Sequence, residues 1–172
     1  QVPVQSGLVT ALQADAGLTT YGGAVTGWAD QSRTGIDLSG SGDPTLVSDG
    51  LNGNPVISLD GDDKLVRTGD LTGLPSGDQN RTMFVVTKYD DAGAYGGTTF
   101  GNGASDETFG LAVKPSGELI VQSYATDEIS DTQGIGEGWL VQSVTVSGDQ
   151  FTHYKDGTQI DSGQHTYSTN LD

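Results

Sequence analysis

The chain has 172 residues and no cysteine, so neither a disulfide nor a thiolate metal site can hold its fold. Its 7 Lys and Arg residues against 23 Asp and Glu residues give a net charge of −16. Because this charge repels phosphate backbones and anionic membrane surfaces, we expect no nucleic-acid partner and no membrane insertion. The length fits one domain with a sizeable apolar core.

Short stretches rich in Val, Ile, Thr, Tyr and Phe alternate with 27 scattered glycines, which is typical of β-strands separated by turns. In chain order the pattern predicts strands at 7–15, 25–30, 55–60, 63–68, 81–89, 97–101, 107–114, 118–124, 138–147, 150–155 and 158–162. The glycine-rich stretches 35–54 and 90–106 are predicted to be long loops, where binding residues are commonly found. We therefore predict an all-β fold: a single antiparallel two-sheet β-sandwich over residues 1–172.

Three local patterns add detail to this prediction. Met83-Phe84-Val85-Val86 is apolar at successive positions, as expected of a central strand covered on both faces. Asp156-Gly157 lies between two β-prone runs and predicts a type I′ hairpin, because both residues tolerate positive φ. Trp28 and Trp139 are flanked by strand residues and are predicted to lie in the core.

Four segments together resemble the laminin-G-like, concanavalin A-like jelly-roll superfamily, in particular modules of large secreted or surface bacterial proteins. They are Leu12-Gln13-Ala14-Asp15-Ala16-Gly17, Trp28-Ala29-Asp30-Gln31-Ser32, Asn54-Pro55-Val56-Ile57-Ser58-Leu59-Asp60-Gly61-Asp62-Asp63 and Tyr154-Lys155-Asp156-Gly157-Thr158. Their order and spacing match over most of the chain. The resemblance implies a jelly-roll β-sandwich.

The resemblance also implies one or two further strands beyond the position of Asp172, where members of the superfamily normally continue. A jelly roll without them would leave N–H and C=O groups unpaired along a sheet edge. We therefore expect a completing strand, supplied by a continuation of the chain, by a second polypeptide or by a neighbouring copy.

Asp60, Asp62 and Asp63 present carboxylate oxygens on a predicted turn, and oxygen is the ligand type that Ca²⁺ prefers. Asp30 and Asp37 are candidate neighbours of this group in space. The three aspartates are therefore predicted as a calcium site. The alternative is a plain turn between two strands, with these side chains in solvent.

No complete catalytic constellation is present, so no enzymatic activity is predicted. The Glu-x-Asp-x-Glu pattern of jelly-roll glucanases is absent. His153-Tyr154-Lys155 resembles a strand of jelly-roll lyases, but its first two residues point to opposite faces of a strand and cannot easily serve one site. His165 has no acidic neighbour at metal-ligand spacing, and Asp127-Glu128 with Asp131 are interpreted as a solvated loop.

Sugar sites normally present an exposed aromatic ring, with amides and carboxylates around it. Tyr21 and Tyr95 each precede a pair of glycines, and Tyr124 lies at the end of the predicted strand 118–124. We predict these three tyrosines as carbohydrate contacts. The alternative is that their rings pack on the rim of the sandwich.

These features favour a non-catalytic carbohydrate-binding or adhesive module of a larger protein, located outside the cell or at its surface. Two alternatives stay open: an assembly subunit whose incomplete sandwich is completed by a strand from another chain, and a polysaccharide lyase. The N-terminal residues Gln1-Val2-Pro3-Val4 lack the features of a signal peptide, so any export signal is expected to have been removed.

Overall fold

The computed structural model describes residues 6–67, 69–91 and 93–172, and every regular element within these ranges is a β-strand. The all-β prediction is therefore confirmed. None of the described segments forms a helix of the length and apolarity needed to cross a membrane. The strands are β1 (Leu18–Tyr21), β2 (Ala24–Trp28), β3 (Leu38–Ser41), β4 (Thr45–Leu51), β5 (Asn54–Ser58), β6 (Lys64–Val66), β7 (Arg81–Lys88), β8 (Gly96–Gly101), β9 (Thr108–Val113), β10 (Glu118–Gln122), β11 (Glu128–Gln133), β12 (Trp139–Ser147), β13 (Gln150–Lys155) and β14 (Thr158–Gln164).

The chain divides into two compact units, the first ending at Leu74 and the second spanning Pro75–Asp172. The first unit contains one antiparallel sheet with the order β5-β4-β2-β3-β6, and β1 pairs with β2 beside this path. Val25, Ile36 and Pro44 are the buried apolar side chains among the described residues of this unit. The prediction of one domain over 1–172 stays a prediction.

The second unit contains two antiparallel four-stranded sheets that share a core. The β9 sheet has the order β11-β10-β9-β8, and the β12 sheet has the order β14-β13-β12-β7. Side chains of both sheets form one buried apolar cluster, with Phe109, Leu111 and Val121 from the β9 sheet and Val144, Val146 and Phe151 from the β12 sheet. Two facing sheets with interdigitating side chains are the arrangement of a β-sandwich.

The Asp156-Gly157 hairpin forms as predicted between β13 and β14. Both turn residues have positive φ, 51° at Asp156 and 78° at Gly157, as a type I′ turn requires. The Asp156 carboxylate accepts a hydrogen bond from the Val141 N–H at 2.8 Å, and the Asp156 N–H donates to the Val141 carbonyl at 2.9 Å. These bonds attach the turn to the neighbouring strand β12.

Several predicted boundaries are wrong. Residues 35–54, expected to be a loop, contain β3 and β4. Residues 7–15, expected to be a strand, form none, and Gln13 makes only an isolated bridge to Ala16 just beyond them. Thr, Ser, Asp and Gly dominate β4, so its composition resembles a loop, but pairing with β5 satisfies its backbone.

Strand β7 is an edge strand and not a central strand covered on both faces. Met83 and Val85 pack on the core, whereas Phe84 is 70% exposed and Val86 is 57% exposed. Successive residues of a strand alternate between faces, so a run of four apolar residues does not by itself show that both faces are covered. The predicted core tryptophans, Trp28 and Trp139, are half-buried.

A polar pair lies inside the sandwich core. Gln142 and His153 are both fully buried, and Gln142 Nε2 lies 3.0 Å from His153 Nε2. Tyr89 Oη donates to Gln142 Oε1 at 3.2 Å. Burial lowers the pKa of His153 to about 4, so this imidazole is neutral near pH 7.

Tyr154 is half-buried, and its side chain and that of His153 lie on opposite faces of β13, as predicted.

The segment after β14 covers one end of the core through Tyr167, which is 1% exposed. The Tyr167 ring meets the Phe109 ring edge-on, with centroids 5.0 Å apart. The Arg81 guanidinium carbon lies 4.7 Å from the centroid of the Phe109 ring, and Arg81 Nη1 donates to Thr169 Oγ1 at 2.9 Å. Residues 165–172 (the tail) are therefore fixed by apolar contact and by a buried hydrogen bond.

We expect the apolar contact of Tyr167, and not its hydroxyl group, to stabilise the fold. Tyr167 Oη is buried and has no hydrogen-bond partner among the described residues. Tyr167→Ala should therefore lower the free energy of unfolding by about 3–5 kcal/mol, the usual cost of deleting a large core side chain. Tyr167→Phe should leave it unchanged or raise it slightly, because it removes an unsatisfied polar group. Urea denaturation of the two variants measures both effects, and a Phe variant as unstable as the Ala variant would contradict this assignment.

Candidate functional site

All three predicted tyrosines are exposed. Tyr21 is 83% exposed at the two-glycine turn between β1 and β2, in the first unit. Tyr95 and Tyr124 are each 51% exposed and lie in the second unit. Exposure meets the first requirement for stacking on a sugar ring, and the binding role of each residue stays a prediction.

Tyr95 and Tyr124 lie at opposite ends of the β9 sheet. Tyr95 precedes β8, whose first residue pairs with Val113 at the end of β9. Tyr124 follows β10, whose last residue pairs with Gly110 near the start of β9. The two rings therefore cannot contact the same sugar residue, so we consider their surroundings separately.

The backbone around Tyr124 is held in a strained conformation. Tyr124, Ala125 and Asp106 have φ values of 53°, 66° and 64°, a region that residues other than glycine rarely adopt. Each such residue costs about 1–3 kcal/mol and persists only where neighbouring contacts hold it. Here the Asp106 N–H donates to the Tyr124 carbonyl at 3.0 Å, and Ser123 Oγ donates to the Thr126 carbonyl at 2.6 Å. Strain of this kind is typical of functional sites.

Two carboxylates hold His165 beside this loop. His165 Nδ1 lies 2.6 Å from Glu128 Oε1, and His165 Nε2 lies 2.8 Å from Asp106 Oδ1. Because ionised carboxylates only accept hydrogen bonds, this geometry favours the imidazolium form, in which both ring nitrogens donate. Burial lowers the pKa of His165, but the hydrogen bonds and the negative charges of Asp106 and Glu128 outweigh it, so the pKa lies above 6.5. We call this arrangement the His165 bridge.

The His165 bridge joins three separate segments of the chain. Asp106 precedes β9, Glu128 begins β11, and His165 follows β14. The His165 ring also stacks on the Tyr167 ring, with centroids 4.3 Å apart. The Tyr124 loop (residues 123–127) is attached to the bridge, because Thr126 Oγ1 donates to Asp106 Oδ1 at 3.3 Å.

One interpretation made from the sequence is wrong at this site, and one feature could not be found from it. His165 has no acidic residue at metal-ligand spacing, as the sequence indicates, but the fold gives it two acidic partners that are 37 and 59 residues away in the chain. Glu128 belongs to a strand and to the bridge and not to a solvated loop. Asp127 is also used within the fold, because its carboxylate accepts a hydrogen bond from the Ser123 N–H at 2.9 Å.

The predicted calcium ligands lie together in the first unit. Asp60, Asp62 and Asp63 each offer a carboxylate oxygen within 4.8 Å of the others. The hydrogen bond with Asp62 and the negative charge of Asp63 raise the pKa of Asp60. The Asp63 carboxylate is already hydrogen-bonded to the backbone. Its two oxygens accept hydrogen bonds from the N–H groups of Asp43 at 2.6 Å and of Asp60 at 3.2 Å.

Asp30 and Asp37, the candidate neighbours of this group, have a structural use of their own. The Asp30 N–H donates to Asp37 Oδ1 at 2.8 Å. Burial raises the pKa of Asp30, but hydrogen bonds from Ser32, Ala11 and Ile36 outweigh it and lower the pKa to about 2. The charged Asp30 carboxylate therefore organises the turn after β2.

Comparisons with protein-family models, with curated proteins and with solved structures give no match to this chain.

The arrangement at one end of the second unit combines an exposed aromatic ring, a strained loop and several carboxylates. We call it the Tyr124 surface, formed by Tyr124, Asp106, Asp127, Glu128 and His165. These groups are suited to binding a ligand rich in hydroxyl groups.

Proposed function

We propose that the chain is a non-catalytic carbohydrate-binding or adhesive module of a larger extracellular or cell-surface protein, and that it binds a glycan at the Tyr124 surface. The observation that carries this proposal is the half-exposed Tyr124 ring on a loop that the His165 bridge holds in a strained conformation. A loop whose backbone is held in place before binding loses less conformational entropy when a ligand stacks on its aromatic ring.

The chemistry of the Tyr124 surface supports sugar recognition in two ways. The face of a tyrosine ring packs against the C–H face of a sugar. Carboxylates beside it accept hydrogen bonds from sugar hydroxyl groups. Asp106 and Glu128 have side chains that are 23% and 30% exposed, so water and a ligand can reach them.

The same geometry favours binding over proton transfer. A general base needs a nitrogen that is free to accept a proton, and both nitrogens of His165 already donate to carboxylates. The other histidine, His153, is fully buried between the sheets. Neither histidine is therefore placed to act as the base of a polysaccharide lyase.

We propose a jelly-roll sandwich of the laminin-G-like, concanavalin A-like type for this module. The support is the pair of facing four-stranded antiparallel sheets in the second unit, together with the sequence resemblance. Loops at one end of such a sandwich are a common place for ligand binding, because a rigid scaffold fixes their position.

Removing the Tyr124 ring should weaken glycan binding about tenfold or more, since loss of aromatic stacking costs on the order of 1.4 kcal/mol or more. Tyr124→Asn is the variant of choice, because asparagine tolerates the positive φ at this position. Phe84→Thr is the control: it removes an exposed aromatic ring from β7, the edge strand of the β12 sheet, and should leave the affinity unchanged.

The measurement is a glycan array followed by calorimetric titration of any glycan that binds. Wild-type protein that binds none of the glycans would refute carbohydrate binding. Equal loss of affinity in the two variants would refute the location at Tyr124.

We also propose that Asp60, Asp62 and Asp63 bind Ca²⁺, with an affinity of roughly 10⁻⁴–10⁻³ M, as in extracellular modules. Crowding of the three carboxylates raises the pKa of Asp60, and a cation would relieve this repulsion.

Calcium should raise the melting temperature of the wild-type protein relative to a sample with chelator. The gain should be lost in Asp60→Asn/Asp62→Asn, which leaves the backbone contacts of Asp63 intact. Asp49→Asn, an exposed change in β4, is the control and should keep the gain. No calcium effect on wild-type protein, or an unchanged effect in the double variant, would contradict the site.

A further inference from the structure

We infer that the glycan bound at the Tyr124 surface is neutral, and that polysaccharides bearing carboxylate or sulfate groups are rejected. This inference rests on the proposed function and adds the class of ligand to it. It depends on which charged side chains the loops and the tail place at this end of the second unit. It also depends on which of those side chains already form hydrogen bonds within the protein.

The three segments that meet here carry five acidic residues, and their single cation is the His165 ring, which the carboxylates of Asp106 and Glu128 hold. Residues 101–107, 123–128 and 165–172 contain no lysine and no arginine. Their acidic residues are Asp106, Glu107, Asp127, Glu128 and Asp172. A carboxylated or sulfated sugar placed over Tyr124 would therefore lie in a field of its own sign.

The cations nearest to these segments are not available to a ligand. The His165 side chain is only 13% exposed, and both of its nitrogens donate to protein carboxylates. Arg81 is 8% exposed and lies over Phe109, where it donates to Thr169 Oγ1 and to the Gln79 carbonyl. An anionic sugar group would find no free positive partner in these side chains.

Acceptors for hydroxyl groups, in contrast, remain open. Asp106 Oδ2, Asp127 Oδ2 and Glu128 Oε2 accept no hydrogen bond from the described residues. The side chains of Asp106 and Glu128 are 23% and 30% exposed and Asp127 is half-buried, so solvent reaches these carboxylates. A neutral sugar has hydroxyl groups to donate to such oxygens, whereas an added carboxylate or sulfate contributes only further acceptors.

The expected repulsion is large enough to measure. A negative charge on a ligand, placed about 6 Å from one carboxylate in water, lowers the affinity of that ligand roughly threefold, and several carboxylates lower it further. We expect a uronate oligosaccharide to bind at least about tenfold more weakly than its neutral counterpart at low salt, and the difference should shrink as salt screens the charges.

The test compares neutral and acidic tetrasaccharides that differ only at C6: glucose with glucuronate, galactose with galacturonate, and mannose with mannuronate. Each is titrated by calorimetry into wild-type protein at low and high salt. The variant Glu107→Gln/Asp127→Asn removes two charges but keeps the acceptor oxygens that Asn170 and Ser123 use. Tyr124→Asn identifies binding that depends on the proposed surface.

The inference is supported by three results together. A neutral tetrasaccharide binds and loses affinity in Tyr124→Asn, and the matching uronate tetrasaccharide binds wild-type protein at least tenfold more weakly. The ratio of the two affinities is smaller in Glu107→Gln/Asp127→Asn than in wild-type protein. A uronate that binds as tightly as its neutral partner, with loss in Tyr124→Asn, would overturn the inference while leaving the proposed function intact. An affinity ratio between neutral and uronate tetrasaccharides that is the same in the double variant as in wild-type protein would also overturn the inference. Absence of binding to every tetramer and to the polysaccharides of the glycan array would refute the proposed function and the inference together.

Discussion

The imidazolium of His165, held between the carboxylates of Asp106 and Glu128, is the interaction on which the second unit's ligand surface depends. It joins the turn before β9, the first residue of β11 and the tail after β14. Because charge-assisted hydrogen bonds are stronger than neutral ones, this bridge can hold backbone in a conformation that the chain would otherwise avoid. The raised pKa means that the bridge stabilises the fold fully below pH about 6.5 and loses this contribution as the pH rises through the folded-state pKa.

The Tyr124 surface follows from this constraint. Tyr124 and Ala125 have positive φ, and the hydrogen bonds of Asp106 to the Tyr124 carbonyl and to Thr126 keep them there. Beneath the bridge, stacking of His165 on Tyr167 connects the loop to the apolar core. A rigid core, a charged bridge and a strained loop thus present one aromatic ring to solvent. This arrangement is suited to recognition. It is unsuited to proton transfer, because both ring nitrogens of His165 are hydrogen-bonded to carboxylates.

Local chemistry allowed part of the fold to be predicted from the sequence. The Asp156-Gly157 turn is specified by two adjacent residues that accept positive φ, and the exposure of the three tyrosines follows from their position beside turns. The edge position of β7 was missed, because it depends on strand order, which a run of apolar residues does not encode. The His165 bridge was missed for a similar reason: its members become neighbours only after the sheets form.

The most direct test of the bridge is an NMR titration of the two histidine rings in the folded protein. His165 should titrate with a midpoint above 6.5, because two carboxylates stabilise its charged form. His153, buried in the same unit without a carboxylate partner among the described residues, should stay neutral down to about pH 4 and serves as the internal contrast. A midpoint for His165 at or below 6.5 would contradict the bridge and, with it, the account of how the Tyr124 surface is held.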